Sequence, residues 1–175
     1  MSLELSEQLK YEQVWKTPEY RLISPGEQLA RHAVKLLGLK AGDTLLDLGC
    51  GTGRALVEFR KFGIDGLGFD IADNCLDPGS KEKLIIGCLW HLPFAGLKAD
   101  FGFCVDVLEH LPEGYILQAL AGIAKTIQIS VLFQIALFPH NPKLSQGLPL
   151  HLTVKESDWW ERQLSQYFEL IYSNE

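Results

Sequence analysis

Apolar positions along the chain fall into two alternating patterns. From Ser24 onward, short apolar runs are separated by segments whose apolar residues recur every three or four positions. That alternation reads as strands connected by amphipathic helices. Strands are predicted over 44–48, 66–71, 84–88 and 101–107, with a fifth starting near Thr126. The first helix opens at Ser24-Pro25-Gly26-Glu27, which offers an N-cap, a proline at the first helical position and a capping-box glutamate. Leu29, Ala33, Val34 and Leu37 then share one face, and Gly38 ends it. Further helices are expected from Ala55 to about Phe62 and from about Pro112 to Lys125. The crossover over 72–83, with Pro78 and Gly79, is short and irregular.

The fifth strand alternates strictly, with Ile127, Ile129, Val131, Phe133, Ile135 and Leu137 on one side and Gln128, Ser130 and Gln134 on the other. One face is therefore well buried and the other partly polar. Gln134 either lines a cavity at the strand's C-terminal end or lies on a thinly covered sheet face. Pro139 and Pro142 break the strand, and Thr153-Val154-Lys155-Glu156 reads as a capping box opening a helix through Trp159, Trp160, Leu164 and Tyr167. The tail over 168–172 reads as a sixth strand. Strand–helix alternation of this kind implies an α/β, Rossmann-like doubly wound sheet, mostly parallel, of about six strands with helices on both faces.

Length, charge and cysteines narrow the class. With 175 residues and neither repeats nor linkers, one domain over 1–175 is expected, a lid-like segment over 1–23 preceding the core over 24–175. A net charge of −6 and the lack of a basic run argue against non-specific nucleic-acid binding. Cys50, Cys75, Cys88 and Cys104 form no C-x-x-C pair, so no zinc site and no other metal centre is expected. Three of them fall inside or beside predicted strands and read as buried thiols, which implies a reducing, cytoplasmic compartment. The N-terminal residues are neither basic nor apolar enough for a signal peptide, and the apolar stretch over 127–138 is too short to cross a membrane.

The most specific block is Leu45-Leu46-Asp47-Leu48-Gly49-Cys50-Gly51-Thr52-Gly53-Arg54. A strand runs into three glycines at alternate positions and then into a helix, which lets a nucleoside-bearing ligand lie against bare main chain. The dinucleotide fingerprint G-x-G-x-x-G would need glycine where Arg54 stands, so a nicotinamide-dependent reductase is disfavoured. This block, with Asp47 two residues before Gly49, resembles the first motif of class I S-adenosylmethionine (SAM)-dependent methyltransferases. Further blocks extend the likeness over roughly 24–171. Gly68-Phe69-Asp70-Ile71-Ala72 ends the second strand, with Asp70 twenty-one residues after Gly49. Gly87-Cys88-Leu89-Trp90-His91-Leu92-Pro93-Phe94 follows the third strand. Asp106-Val107-Leu108-Glu109-His110-Leu111-Pro112 is similar to the D-x-L-E-H signature of quinone-biosynthesis-type small-molecule methyltransferases. Leu150-His151-Leu152-Thr153 precedes the last helix, where family members often carry a histidine facing the acceptor.

The resemblance implies SAM as cofactor, S-adenosylhomocysteine as product, and a role for each matched residue. Asp47, Gly49, Cys50, Gly51, Thr52 and Gly53 belong to the cofactor loop. Asp70, with Ile71 after it, should hold both ribose hydroxyls, since a carboxylate has acceptor sites for two donors. Cys88, Leu89 and Trp90 should flank the adenine, although Cys88 replaces an aspartate that accepts from the adenine amino group. Asp106 and Val107 should lie near the methionine half and His110 near the methyl group. The Asn-Pro-Pro-Tyr or Asp-Pro-Pro-Tyr sequence of adenine and amide N-methyltransferases is missing at this point. The antiparallel seventh strand of the family has no counterpart, and an open sixth strand would risk edge-to-edge dimerisation.

Tyr11, Trp15, Tyr20 and Arg21 form the lid or an amphipathic helix packed on the domain, with Arg21 a candidate for the SAM carboxylate. A base is needed for a protonated acceptor, and His110 and His151 rank ahead of His91 and His140 because each follows a strand's C-terminal end. Glu109 is expected to be structural. These residues point to transfer of a methyl group to oxygen or nitrogen of a small molecule, without nucleic acid or membrane. The alternative is a non-catalytic SAM-binding module in an assembly or sensor.

Overall fold

A computed structural model gives the architecture, and it describes residues 1–92, 96–145 and 147–171. Six helices and five strands make up its regular elements: α1 Leu3–Val14, α2 Pro18–Leu22, α3 Gly26–Leu36, β1 Thr44–Leu48, α4 Arg54–Lys61, β2 Asp65–Asp70, β3 Leu84–Ile86, β4 Ala99–Val105, α5 Ile116–Thr126, β5 Ile127–Gln134 and α6 Ser157–Leu164. The sheet order is β3-β2-β1-β4-β5 and every pairing is parallel. β1 is central, and Leu45, Leu46, Asp47 and Leu48 are all buried because helices cover both faces. The chain adds β2 and β3 on one side of β1, then returns to add β4 and β5 on the other. The carboxyl ends of β1 and β4 flank that switch, where an open parallel sheet leaves a crevice for ligands.

Two cores cover the sheet. Ala30 and Ala33 of α3 and Ala55 and Phe59 of α4 pack on Leu45, Phe101 and Phe103. On the other face, Ile116, Ala119, Leu120 and Ile123 make one stripe of α5, at spacings of three and four residues, and meet Leu46, Leu48, Phe69, Leu108 and Trp160. No helix among the described residues is long and apolar enough to cross a membrane.

Several expected boundaries shift for local reasons. α3 begins at Gly26 with Pro25 as a cap that makes no side-chain bond, since the Ser24 hydroxyl instead accepts from Thr52 Oγ1 at 3.3 Å. α6 starts at Ser157 because Thr153 Oγ1 donates to the Leu111 carbonyl at 2.6 Å rather than capping a helix. The sixth strand does not form over 168–171, and Tyr172 lies outside the described residues. Phe168 and Leu170 still pack on the core, with the Phe168 ring 5.1 Å from Phe133. Their alternation reports burial, not strand pairing. The sheet edges are thus β3 and β5, and β5 is thinly covered, with Ile129 at 66% exposure.

Candidate active site

The three glycines after β1 fold as a tight loop at the crevice. Gly49 and Gly51 both have positive φ, 78° and 47°. A Cβ on Gly49 would lie 2.4 Å from Val107, and one on Gly51 would lie 2.9 Å from the Trp15 ring, so both positions exclude a side chain. Gly53, at φ 74°, caps α4. Beside the loop, Asp70 is buried and its two oxygens accept from Gly51 N at 2.9 Å and Ala72 N at 3.0 Å. Asp106, after β4, is the one non-glycine with positive φ among the described residues (52°). Aspartate tolerates that conformation better than most side chains, and such strain gathers at functional sites.

These segments enclose a cleft with about 590 Å³ of empty space, open solvent at its mouth included. Gly49, Asp70, Ile71, Cys88, Leu89, Trp90, Asp106, Val107 and His110 all line it. Burial pushes the carboxyl of Asp70 up, and burial with the nearby Asp70 charge pushes Asp47 up further. Asp47 Oδ2 has no hydrogen-bond partner. Two buried carboxylates of this kind suit a cationic ligand. Burial also raises the Cys88 thiol, which keeps it protonated and makes it a weak donor where the family's aspartate accepts.

Other expected site residues lie elsewhere. Asp47, Cys50, Gly51, Thr52 and Gly53 shape the loop from outside the lining. Cys50 Sγ sits against Gly68 and shares a buried pocket with Cys75 and Asp70. Gln134 is exposed and donates to Asp106 Oδ1 at 3.1 Å, so it braces the loop after β4 rather than lining the cleft. Arg21 does not point into the cleft either. Its guanidinium donates to the carbonyls of Trp15 (2.8 Å), Cys75 (2.8 Å), Leu76 (3.1 Å) and Asn74 (2.5 Å) and meets Asp77 at 3.6 Å. Four carbonyls and one carboxylate occupy that group, and its effect is to clasp α1 and α2 to the loop after β2.

The N-terminal segment supplies three lining residues, Tyr11, Trp15 and Tyr20. Tyr11 Oη lies 2.8 Å from His110 Nδ1. Around His110 gather His151, with ring centroids 4.8 Å apart, and His140, 5.4 Å from His151. Burial and the two neighbouring imidazoles pull His110 down to about 3, so it is neutral at physiological pH. His91 is exposed and pairs with Glu4 at 3.6 Å, away from this cluster. Glu109 is fully buried: Oε1 accepts from Ala136 N at 3.1 Å, its carbonyl accepts from Leu152 N and Thr153 N, and Oε2 has no partner. It braces the strand-to-helix connections, and one of its oxygens lies within 4.8 Å of a ring nitrogen of both His110 and His151. Sequence spacing could not reveal that, because 42 residues separate Glu109 from His151.

A parallel switch-point sheet with a glycine loop, a buried acidic residue at the end of β2 and a histidine-bearing loop after β4 defines a Rossmann-like nucleoside-binding domain. Residues 21–142 match the family model for a methyltransferase domain, and the chain belongs to that family, whose methyl donor is SAM. The tRNA (guanine(10)-N2)-dimethyltransferase of Methanothermobacter thermautotrophicus is 42% identical over 69 residues, 39% of this chain, and the chain spans 20% of that relative's length. Among solved structures, a chain from the complex between the Haloferax volcanii Trm112 methyltransferase activator and a methyltransferase superposes with a TM-score of 0.63 at 17% identity, covering 86% of this chain and 76% of that one. Phosphoethanolamine N-methyltransferase 2 of Haemonchus contortus, in complex with SAM, gives 0.61 at 16% identity over 80% of this chain and 36% of its own. At these identities the structural likeness concerns the fold.

Proposed function

We propose that this chain transfers a methyl group from SAM to an oxygen or nitrogen of a small-molecule acceptor. The observation that carries this reading is the cleft's acceptor end, which is roofed by Tyr11, Trp15 and Tyr20 and carries a neutral histidine. SAM supplies an electrophilic methyl on a sulfonium, so alignment of the nucleophile accounts for much of the rate. The residues present fit that cofactor. Asp70 holds the ribose hydroxyls with the lone pairs its two backbone partners leave free, and the buried charge of Asp47 behind the glycine loop favours a cationic ligand. Phe69, Ile71, Leu89 and Trp90 give the base apolar walls. Ile71 and Val107 close the sides of the methionine end. An acceptor hydroxyl that replaces Tyr11 at His110 Nδ1 meets a neutral imidazole, with His151 and Glu109 behind it to share the proton.

A tRNA acceptor is the second reading, favoured by the identity to the guanine dimethyltransferase. Against it stand the net charge of −6 and the roofed cleft, since a base in a folded RNA must be extruded into an open pocket. Transfer of label from methyl-labelled SAM to a panel of small hydroxyl and amine acceptors, beside tRNA transcripts, separates the two. Label in a small acceptor, with kcat down about 100-fold in His110→Ala or His151→Ala and SAM affinity kept, supports the proposal. Label in tRNA alone overturns it.

A further inference from the structure

We infer that Glu109, His110 and His151 form a site for a divalent transition-metal ion of the zinc class at the acceptor end of the cleft. The inference rests on the methyltransferase reading only in what the ion would do there, which is to hold the acceptor's oxygen or nitrogen. One donor atom from each of the three residues falls within 4.8 Å of the others, close enough for modest side-chain rotation to bring them around one ion. Two imidazoles and one carboxylate are the ligand set of catalytic zinc sites, which keep a fourth position open for water or substrate.

The surroundings have the form of a metal site's supporting shell. His151 Nδ1 lies 2.6 Å from the Phe138 carbonyl, which fixes the ring's tautomer and leaves its other nitrogen with a lone pair. His110 also bonds the Leu150 backbone. Glu109 is 0% exposed and one of its oxygens has no partner, a costly arrangement for a carboxylate unless a cation meets it. His140 Nε2 is also buried without a partner, 5.4 Å ring to ring from His151, and adds a fourth donor at the rim. The rival cluster of Cys50, Asp70 and Cys75 is less suited, because both Asp70 oxygens already accept backbone N–H groups.

Tyr11 makes the site conditional. Its hydroxyl occupies the Nδ1 lone pair of His110 while the lid is closed, so ion binding at that nitrogen displaces it. Removing the hydroxyl should tighten metal binding.

The test is calorimetric titration of chelator-treated full-length protein with ZnCl2, with visible absorption of the Co2+-loaded protein as a second readout. One Zn2+ per chain is expected, with affinity at least about 10-fold weaker in Glu109→Gln and His151→Ala. Tyr11→Phe should bind Zn2+ more tightly, and Cys75→Ala should match the parent protein. SAM titration of the same variants reports an intact fold. Absence of stoichiometric Zn2+ binding, equal binding by Glu109→Gln and His151→Ala, or loss in Cys75→Ala would overturn the inference. A protein that binds SAM without Zn2+ sinks the metal site alone. One that binds Zn2+ at these residues but no SAM sinks the methyltransferase reading and leaves the site standing.

Discussion

Glu109 and His110 are neighbours in the chain whose protons respond to burial in opposite senses. Glu109 is raised from 4.5 to about 7, by burial first and the Asp106 charge last, against the backbone N–H of Ala136. The folded protein therefore keeps a proton that the unfolded chain loses above 4.5. The stability this confers is full below that pH and is lost as pH rises through 7. His110, lowered from 6.5 to about 3, works the other way: its contribution is full above 6.5 and is lost as pH falls toward 3. The two slopes oppose each other in mildly acidic solution. In metal-free protein, the unfolding free energy of the parent minus that of Glu109→Gln should fall by about 3 kcal/mol from pH 4.5 to 7. Urea melts across that range measure it, and a pH-independent difference would show that folding leaves the Glu109 carboxyl unshifted. None of this was visible in the residue string. Asp106-Val107-Leu108-Glu109-His110 announces a motif, but which carboxylate lacks a partner depends on chain segments that arrive from residues 136 and 150–153.

At the scale of elements, β1, its glycine loop and α4 were legible because a strand buried on both faces and a helix with one apolar stripe each leave a distinct pattern. α1 was not. Its apolar residues spread around the helix, only Val14 is buried, and what holds it is tertiary: the Tyr11 bond to His110 and the Arg21 clasp on the loop after β2. Arg21 was legible as a charged residue near the site, but its direction was set by carbonyls over 74–76 that no local pattern foretells. Arg21→Ala removes several hydrogen bonds to a charged donor, each worth about 1.5–3 kcal/mol. Limited proteolysis within residues 1–23 should then speed up by about 10-fold or more, while SAM affinity changes by less than about 3-fold. A large loss of SAM affinity with the lid still protected would instead place the guanidinium on the cofactor.

At the scale of the molecule, sheet order, switch point and charge act together. The crevice between the ends of β1 and β4 brings Gly49, Asp70 and Asp106 into one acidic, mostly apolar-walled cleft, and the whole chain carries −6. Such a field favours a sulfonium ligand and disfavours polyanions. Binding to a tRNA transcript at about 150 mM salt should be undetectable by fluorescence anisotropy, and salt-sensitive binding in the micromolar range would reverse that expectation. If the cleft beside Asp70 holds SAM, calorimetric titration of the purified chain and of Asp70→Ala with SAM reads it directly. The parent chain should bind in the micromolar range, and the substitution should weaken binding at least about 30-fold as two ribose hydrogen bonds to a charged acceptor and the brace on Gly51 are lost. Equal SAM affinity in the two proteins would contradict it.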